Sequence, residues 1–123
     1  MKEIKLTDSE KMVMEIIWEK EKVFMKDILD SYPEPKPATT TVATLLKRMQ
    51  NKDLVGYKLY GNSREYFSKV AKGEYFKEEM TSMIDRFFNS SVTQFASFFT
   101  SNAKLSQKQL KELREIIDEQ IKE

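Results

Sequence analysis

The chain has 123 residues, of which 33% are charged and 40% are hydrophobic, and its formal net charge is +1. This length suits one folded domain, or a small domain with an appended oligomerisation segment. Cys and His are both absent, which excludes a disulfide framework, structural zinc ligands, the commonest general base and a thiol nucleophile. We therefore expect no enzyme, no metal site and no cofactor.

The same composition predicts the compartment. No apolar run approaches the roughly 18 residues that a membrane span needs. Lys2 and Lys5 lead into a capped helix and not into an apolar signal segment. Because the chain also has no Cys, we expect a cytoplasmic protein without membrane insertion.

The charge is unevenly distributed along the chain. Residues 36–72 contain eight basic and two acidic side chains, a net charge of +6, whereas residues 73–123 have a net charge of −2. A basic middle segment favours binding to a polyanion such as nucleic acid. Lys-rich helices and hairpins that serve only solubility would give the same pattern, so charge alone does not decide.

Two helices are predicted before residue 33. Thr7 and Glu10 have the spacing of a capping box, and apolar residues then recur at helical spacing over residues 8–20. Val23 and Phe24 interrupt this first helix, and a shorter helix follows over about residues 25–32. Pro33 ends the second helix, because proline lacks a backbone donor and restricts the residue before it.

A third helix carries the most informative pattern. Its buried face is predicted from residues at i, i+3, i+4 and i+7: Val42, Leu45, Leu46 and Met49. The residues on the remaining arc are polar or basic, and several have short side chains: Thr40, Thr41, Thr44, Lys47, Arg48 and Asn51. No acidic residue occurs in this segment before Asp53. Short hydroxyls allow close approach to base edges, while Arg bonds guanine in bidentate fashion and Lys meets phosphate. A Thr-rich surface helix without a partner is the alternative.

After Leu54 the period changes from helical to two. Residues 55–60 and 63–70 predict two strands, joined by a turn at Gly61-Asn62. Lys58, Tyr60 and Arg64 lie near the tip, where they suit phosphate or minor-groove contact. Three helices followed by a basic hairpin predict a winged helix-turn-helix in residues 1–70.

Residues 71–123 predict a helical dimerisation region without a sheet. An apolar stripe is continued by a last helix that Ser106 caps, and the predicted dimer contacts are Phe76, Met80, Met83, Ile84, Phe87, Phe88, Phe95, Leu110, Leu113 and Ile117. This surface is more aromatic than two or three helices can bury alone, so a two-fold dimer is the simplest solution. Packing of the tail against its own winged helix is the alternative. The fold class is thus mainly α with a small β-hairpin wing (α+β).

The sequence resembles the penicillinase and methicillin-resistance repressors (BlaI/MecI type). The matching segments lie in the right order over nearly the whole chain: Leu6-Thr7-x-x-Glu10, Val13-Met14-x-Ile16-Ile17-Trp18, Thr41-Val42-x-Thr44-Leu45-Leu46-x-Arg48-Met49, Arg64-x-Tyr66-x-Ser68 and Leu110-x-x-Leu113-Arg114-x-Ile116-Ile117. The resemblance implies a homodimeric repressor that binds a palindromic double-stranded DNA operator. It places the third helix in the major groove, with Thr40, Thr41, Ala43, Thr44 and Arg48 facing the bases, and the wing on the backbone.

The resemblance also implies a mode of regulation. The antibiotic-resistance repressors are inactivated by proteolysis in the dimerisation region, downstream of a membrane metalloprotease sensor. Their Asn-Phe scissile bond aligns with Phe98-Phe99, where only the second residue matches. The family also has copper-responsive relatives, which use paired cysteines near the C-terminus. This chain has no Cys, which excludes sensing by that route. The antibiotic-resistance repressors have basic residues at the positions of Thr40 and Ala43. Their operator sequence therefore does not transfer to this protein.

Two other functions remain open from the residues. A winged helix used for protein–protein contact would tolerate acids on the third helix, which has none before Asp53. A regulator gated by a small ligand would use the Phe-rich tail as a pocket. Fold analogy alone does not choose between these functions.

Overall fold

The structure is a computed structural model, and it describes residues 4–122. Lys2 and the ends of the predicted segments 1–70 and 71–123 therefore lie outside the described residues. The chain divides into two compact units, Met1–Glu78 and Glu79–Glu123, and the division falls inside a helix. The first unit contains the elements α1 (Asp8–Lys20), β1 (Lys22–Phe24), α2 (Met25–Ser31), α3 (Thr39–Asn51), β2 (Val55–Tyr60), β3 (Ser63–Ser68) and the start of α4 (Lys72–Phe87).

The predicted start of α1 is confirmed. Thr7 Oγ1 accepts from the Glu10 backbone N–H, and a Glu10 carboxylate oxygen accepts from the Thr7 N–H at 2.9 Å, which completes the capping box. Val13, Met14 and Ile17 are completely buried along one side of the helix. This apolar side supplies one wall of the core.

The sheet has three strands, where the sequence predicted two. β2 and β3 form the expected antiparallel hairpin around Gly61, whose φ of 61° suits glycine in the turn. Val23 and Phe24 interrupt the helices as predicted, but they also form a strand that the sequence did not predict, β1, which pairs antiparallel with β3 in the order β1-β3-β2. The predicted second strand of residues 63–70 ends two residues earlier, at Ser68.

The core joins α1, α2, α3 and the sheet. Its completely buried members include Met14, Ile28, Leu46 and Met49. Trp18 lies at its margin, donating from Nε1 to the Val70 carbonyl at 2.8 Å while its ring contacts Tyr75 and Phe76. This arrangement of three helices and a small sheet is a winged helix, as the sequence predicted.

The second unit is helical. It contains the remainder of α4, then α5 (Val92–Asn102) and α6 (Gln107–Gln120). Ser106 caps α6 as predicted, accepting from the Gln109 N–H at 3.1 Å. The Phe88 ring lies 5.5 Å from both the Phe95 and the Phe98 ring, and Phe95 stacks on Phe99. Within α5 and α6, which the structure describes completely, no residue is fully buried in the single chain.

Candidate nucleic-acid interface

The exposed side of α3 is the centre of the candidate site. Val42, Leu45, Leu46 and Met49 are buried and fix the rotation of the helix about its axis. The opposite side is exposed and contains all the α3 residues predicted to face DNA: Thr40, Thr41, Ala43, Thr44, Lys47 and Arg48. We call these six residues the α3 arc. The arc has hydroxyl, methyl and cationic groups and no carboxylate, which is the chemistry of base and phosphate contacts.

An open groove of about 410 Å³ follows this arc. Its walls come from the start of α1 and from α3, and it is lined by Ser9, Thr40, Thr41, Thr44, Leu45 and Arg48. Ser9 was not predicted from the sequence, where it appears only as part of a helix start. The structure thus adds one hydroxyl-bearing residue of α1, Ser9, beside the arc.

Thr44 has a defined hydrogen-bonding state within the arc. Its hydroxyl donates to the Thr40 carbonyl oxygen at 2.9 Å, one turn earlier in the helix. Since the hydroxyl hydrogen is used within the helix, the oxygen lone pairs remain to accept from an outside donor. Thr44 can therefore accept from an amino group on a base edge, and its methyl group can contact a thymine methyl.

Glu10 lies beneath the C-terminal end of α3 and is completely buried. One carboxylate oxygen accepts from Lys52 Nζ at 2.8 Å and lies 4.0 Å from Arg48 Nε. Burial raises the pKa of Glu10, but the hydrogen bonds from Lys52 and Thr7 and the charge of Lys52 outweigh that effect and hold the pKa below its ordinary value. The carboxylate is therefore ionised at neutral pH, where it faces Arg48 of the α3 arc and the neighbouring Lys52.

The wing divides its predicted contact residues between two faces. In the β2–β3 register, Lys58 opposes Glu65, and Leu59 opposes Arg64. Because side chains alternate along a strand, Lys58 and Tyr60 project from one face of the hairpin and Arg64 from the other. All three are exposed, so the structure brings Lys58 and Tyr60 together and separates them from Arg64.

Arg64 is held in place by an aromatic ring. Its guanidinium carbon lies 4.3 Å from the centre of the Tyr57 ring, which is a cation–π geometry. A second open groove of about 360 Å³ lies beside it, lined by Phe24, Met25, Lys26, Asn62, Ser63, Arg64 and Tyr66. Lys26 was not predicted as a site residue. Its proximity to the wing follows from the pairing of β1 with β3, which the sequence did not reveal.

The residues predicted for dimerisation differ in their exposure. Phe76, Met80, Phe87 and Ile117 expose about half or more of their surface, whereas Ile84 is buried within the single chain. The others are half-buried: Met83, Phe88, Phe95, Leu110 and Leu113. Phe76 belongs to the first unit, where its ring contacts Trp18. Phe98 and Phe99, the predicted scissile pair, lie inside α5 and are both exposed.

Two further properties concern residues 4–122 alone. None of the helices in this range combines the length and the apolar character needed to cross a membrane. No cluster of three or more carboxylates suited to a metal ion occurs in this range either.

The comparisons with known proteins agree with one another. The family model for the penicillinase repressor matches residues 6–119. A penicillinase repressor from Bacillus licheniformis is 24% identical over 121 residues, covering 97% of this chain and 94% of the relative. One from Staphylococcus aureus is also 24% identical over 121 residues, covering 96% and 94%. The family resemblance predicted from the motifs is therefore confirmed, and the chain belongs to the penicillinase repressor family.

Proposed function

We propose that this protein is a transcriptional repressor that binds a palindromic operator as a homodimer. The observation that carries the proposal is the α3 arc, in which every residue predicted to face DNA is exposed on one side of a helix without a carboxylate. An ordinary solvent-facing helix would mix acidic with basic side chains. Its relatives are named penicillinase repressors, which agrees with this function.

In the proposed complex α3 enters the major groove. Arg48 donates to guanine O6 and N7, and the threonines of the arc contact neighbouring base edges. Lys47 meets a phosphate at the margin of the groove, and Lys58 and Tyr60 contact the backbone from one face of the wing. Arg64 lies on the other face of the hairpin, so we assign it to a separate backbone contact beside Lys26.

The homodimer rests on the apolar surface of the second unit. Phe87, Phe98 and Ile117 each expose more than half of their surface in the single chain. Large exposed apolar patches are uncommon on monomers and mark association sites. A two-fold dimer would place its two recognition helices in major grooves about 34–36 Å apart, or a multiple of that distance.

Binding to DNA from the promoter region next to the gene tests the function. Footprinting defines the operator, and fluorescence anisotropy measures the affinity of the wild type and of Arg48→Ala. We expect Arg48→Ala to weaken operator binding by about 1–3 kcal/mol and to relax discrimination at the base pair that Arg48 reads. Lys111→Ala, which removes the same charge from α6, is the matched control and should bind as the wild type does. Unchanged affinity of Arg48→Ala would contradict the proposed docking.

We further propose that cleavage of the Phe98–Phe99 bond, downstream of a membrane metalloprotease sensor, inactivates the repressor. Proteases bind extended backbone, and this bond lies inside α5, so cleavage requires local unwinding of that helix. The chain contains a second bond of the same chemistry, Phe87–Phe88, at the end of α4. Mass spectrometry of the protein after incubation with lysate from induced cells distinguishes the two by fragment mass. An intact chain, or cleavage only at Phe87–Phe88, would contradict the assignment.

A further inference from the structure

Glu10 stands out because it carries a charge in the core. Among residues 4–122 it is the one charged side chain that the fold buries completely. A buried carboxylate is costly unless its oxygens are paired. Here one oxygen accepts from the Thr7 N–H, and the other accepts from Lys52 Nζ and lies within ion-pair distance of Arg48 Nε.

Both cations belong to the C-terminal end of α3. Arg48 is the last-turn residue of the α3 arc, and Lys52 follows it by four positions, one turn further along. The carboxylate thus lies under the part of the helix that carries the arc's only Arg. It comes from α1, so it ties the start of α1 to the end of α3.

The geometry separates the donors of Arg48 into two groups. Its Nε, 4.0 Å from the carboxylate, lies nearest the buried charge. The terminal Nη groups are the ones that reach guanine O6 and N7 in bidentate recognition. The side chain remains 57% exposed, so the attraction orients it without burying it. An Arg that is already oriented loses less rotamer freedom when it binds.

The same carboxylate also forms an ion pair with Lys52. Its Nζ lies 2.8 Å from Glu10 Oε2, so in this conformation the ammonium is paired with a protein carboxylate, although 44% of the side chain is exposed. A free Lys at this place would add sequence-independent attraction to phosphate. The buried charge therefore favours one oriented Arg over an additional unspecific cation.

We propose that Glu10 is a positioning residue for sequence recognition, which orients Arg48 toward its base pair and keeps Lys52 from the phosphate backbone. This inference rests on the proposed function. It extends the site to a residue of α1 that does not contact DNA. Glu10 raises affinity for the correct base pair relative to other base pairs, and not affinity for DNA of any sequence.

Glu10→Gln is the principal variant. Gln is a natural residue at this position of a capping box, so the bond from the Thr7 N–H can remain while the charge is lost. Asp53→Asn is the matched control, because it removes one carboxylate that is 86% exposed from the segment directly after α3. Asp53 has a φ of 61°, which Asn also adopts. Circular dichroism and Trp18 fluorescence verify that each variant is folded.

Fluorescence anisotropy with the footprinted operator supplies the readout. Each protein is titrated against the operator, against operators changed at single base pairs, and against a random duplex, at several salt concentrations. Arg48→Ala identifies the base pair that this residue reads. At that pair we expect Glu10→Gln to reduce discrimination by about three- to tenfold, while binding to the random duplex stays equal or becomes tighter. We also expect a steeper salt dependence, by up to about one phosphate contact, as Lys52 is released.

The control and a second variant separate orientation from charge. Asp53→Asn should leave discrimination at that base pair unchanged. Glu10→Asp withdraws the carboxylate by one methylene at constant net charge, and it should also reduce discrimination there. In the Arg48→Ala background, Glu10→Gln should have no further effect at that base pair.

The results that would overturn the inference act at two levels. If the wild type binds the operator and the random duplex equally, the proposed function and this inference are both wrong. If the wild type discriminates and both Glu10 variants discriminate equally well, or if the effects of Glu10→Gln and Arg48→Ala simply add, only the inference is wrong. A loss of thermal stability without a change in discrimination would assign Glu10 to folding alone.

Discussion

Replacing Ile117 with Glu tests the proposed homodimer with little disturbance of the single chain. Ile117 lies on the apolar side of α6 and exposes 57% of its surface. Phe88 is a less direct probe, because its ring already contacts Phe95 and Phe98 within the chain. Phe88→Asp should also dissociate the dimer, but it would perturb the fold of the second unit at the same time.

The expected magnitude follows from the exposed fraction. Complete burial of an exposed Ile contributes about 1.5–3 kcal/mol, so burial of the remaining half contributes about 1–1.5 kcal/mol per chain. A two-fold interface uses the same residue twice, which gives about 2–3 kcal/mol for the dimer. Since about 1.4 kcal/mol changes a dissociation constant tenfold, Ile117→Glu should raise the dimer Kd by about 25- to 150-fold. The cost of burying two carboxylates adds to this change.

Sedimentation equilibrium over a range of concentrations measures the dimer Kd, and circular dichroism checks that the helices remain. Lys108→Glu is the control: it lies nine positions earlier, about 180° around α6 from Ile117, and it changes the charge by more. An unchanged Kd for Ile117→Glu, or equal weakening by Lys108→Glu, would refute the assignment of this face to the dimer.

Three further predictions concern the winged helix. Leu46 is completely buried, so Leu46→Ala should lower the free energy of unfolding by about 2–5 kcal/mol in urea denaturation followed by Trp18 fluorescence; a smaller loss would argue against this core. The folded-state pKa of Glu10 is lowered, so its contribution to stability is present above the ordinary value of about 4.3 and is lost as the pH falls through the folded pKa. The midpoint of thermal unfolding, measured between about pH 3 and pH 7, should therefore fall less on acidification for Glu10→Gln than for the wild type. At Gly61, with φ of 61°, Gly61→Val should cost about 1 kcal/mol or more while Gly61→Asn costs less, and equal urea midpoints would contradict the strained turn.

The sequence predicted those features that repeat over several residues. The capping box of Thr7 and Glu10 and the buried face of α3 each follow from spacing alone, because a helix returns to the same side every three to four residues. The hairpin follows from the change of period after Leu54 and from the glycine in its turn. The exposure of the α3 arc then follows from the burial of its other side.

The missed features depend on contacts between distant segments. β1 has three residues, too few for a period, and its partner β3 follows about forty residues later. Without that pairing, Lys26 could not be placed beside the wing. Glu10 left a weaker signal: it shares helical spacing with the apolar residues Val13, Met14 and Ile17, so it lies on the buried side of α1. A charge on an apolar stripe indicates a buried partner, and that partner is Lys52.

The chemistry of the α3 arc also explains why dimerisation would control DNA binding. The arc provides two cations, Lys47 and Arg48, and otherwise short neutral side chains. Because phosphate contacts dominate affinity, one such half-site binds weakly at physiological salt. Linking two half-sites makes the second binding event intramolecular, which raises affinity by orders of magnitude without a new contact. In the proposed repressor, any event that separates the second units, such as cleavage within α5, would therefore release the operator although every DNA-facing residue remains intact.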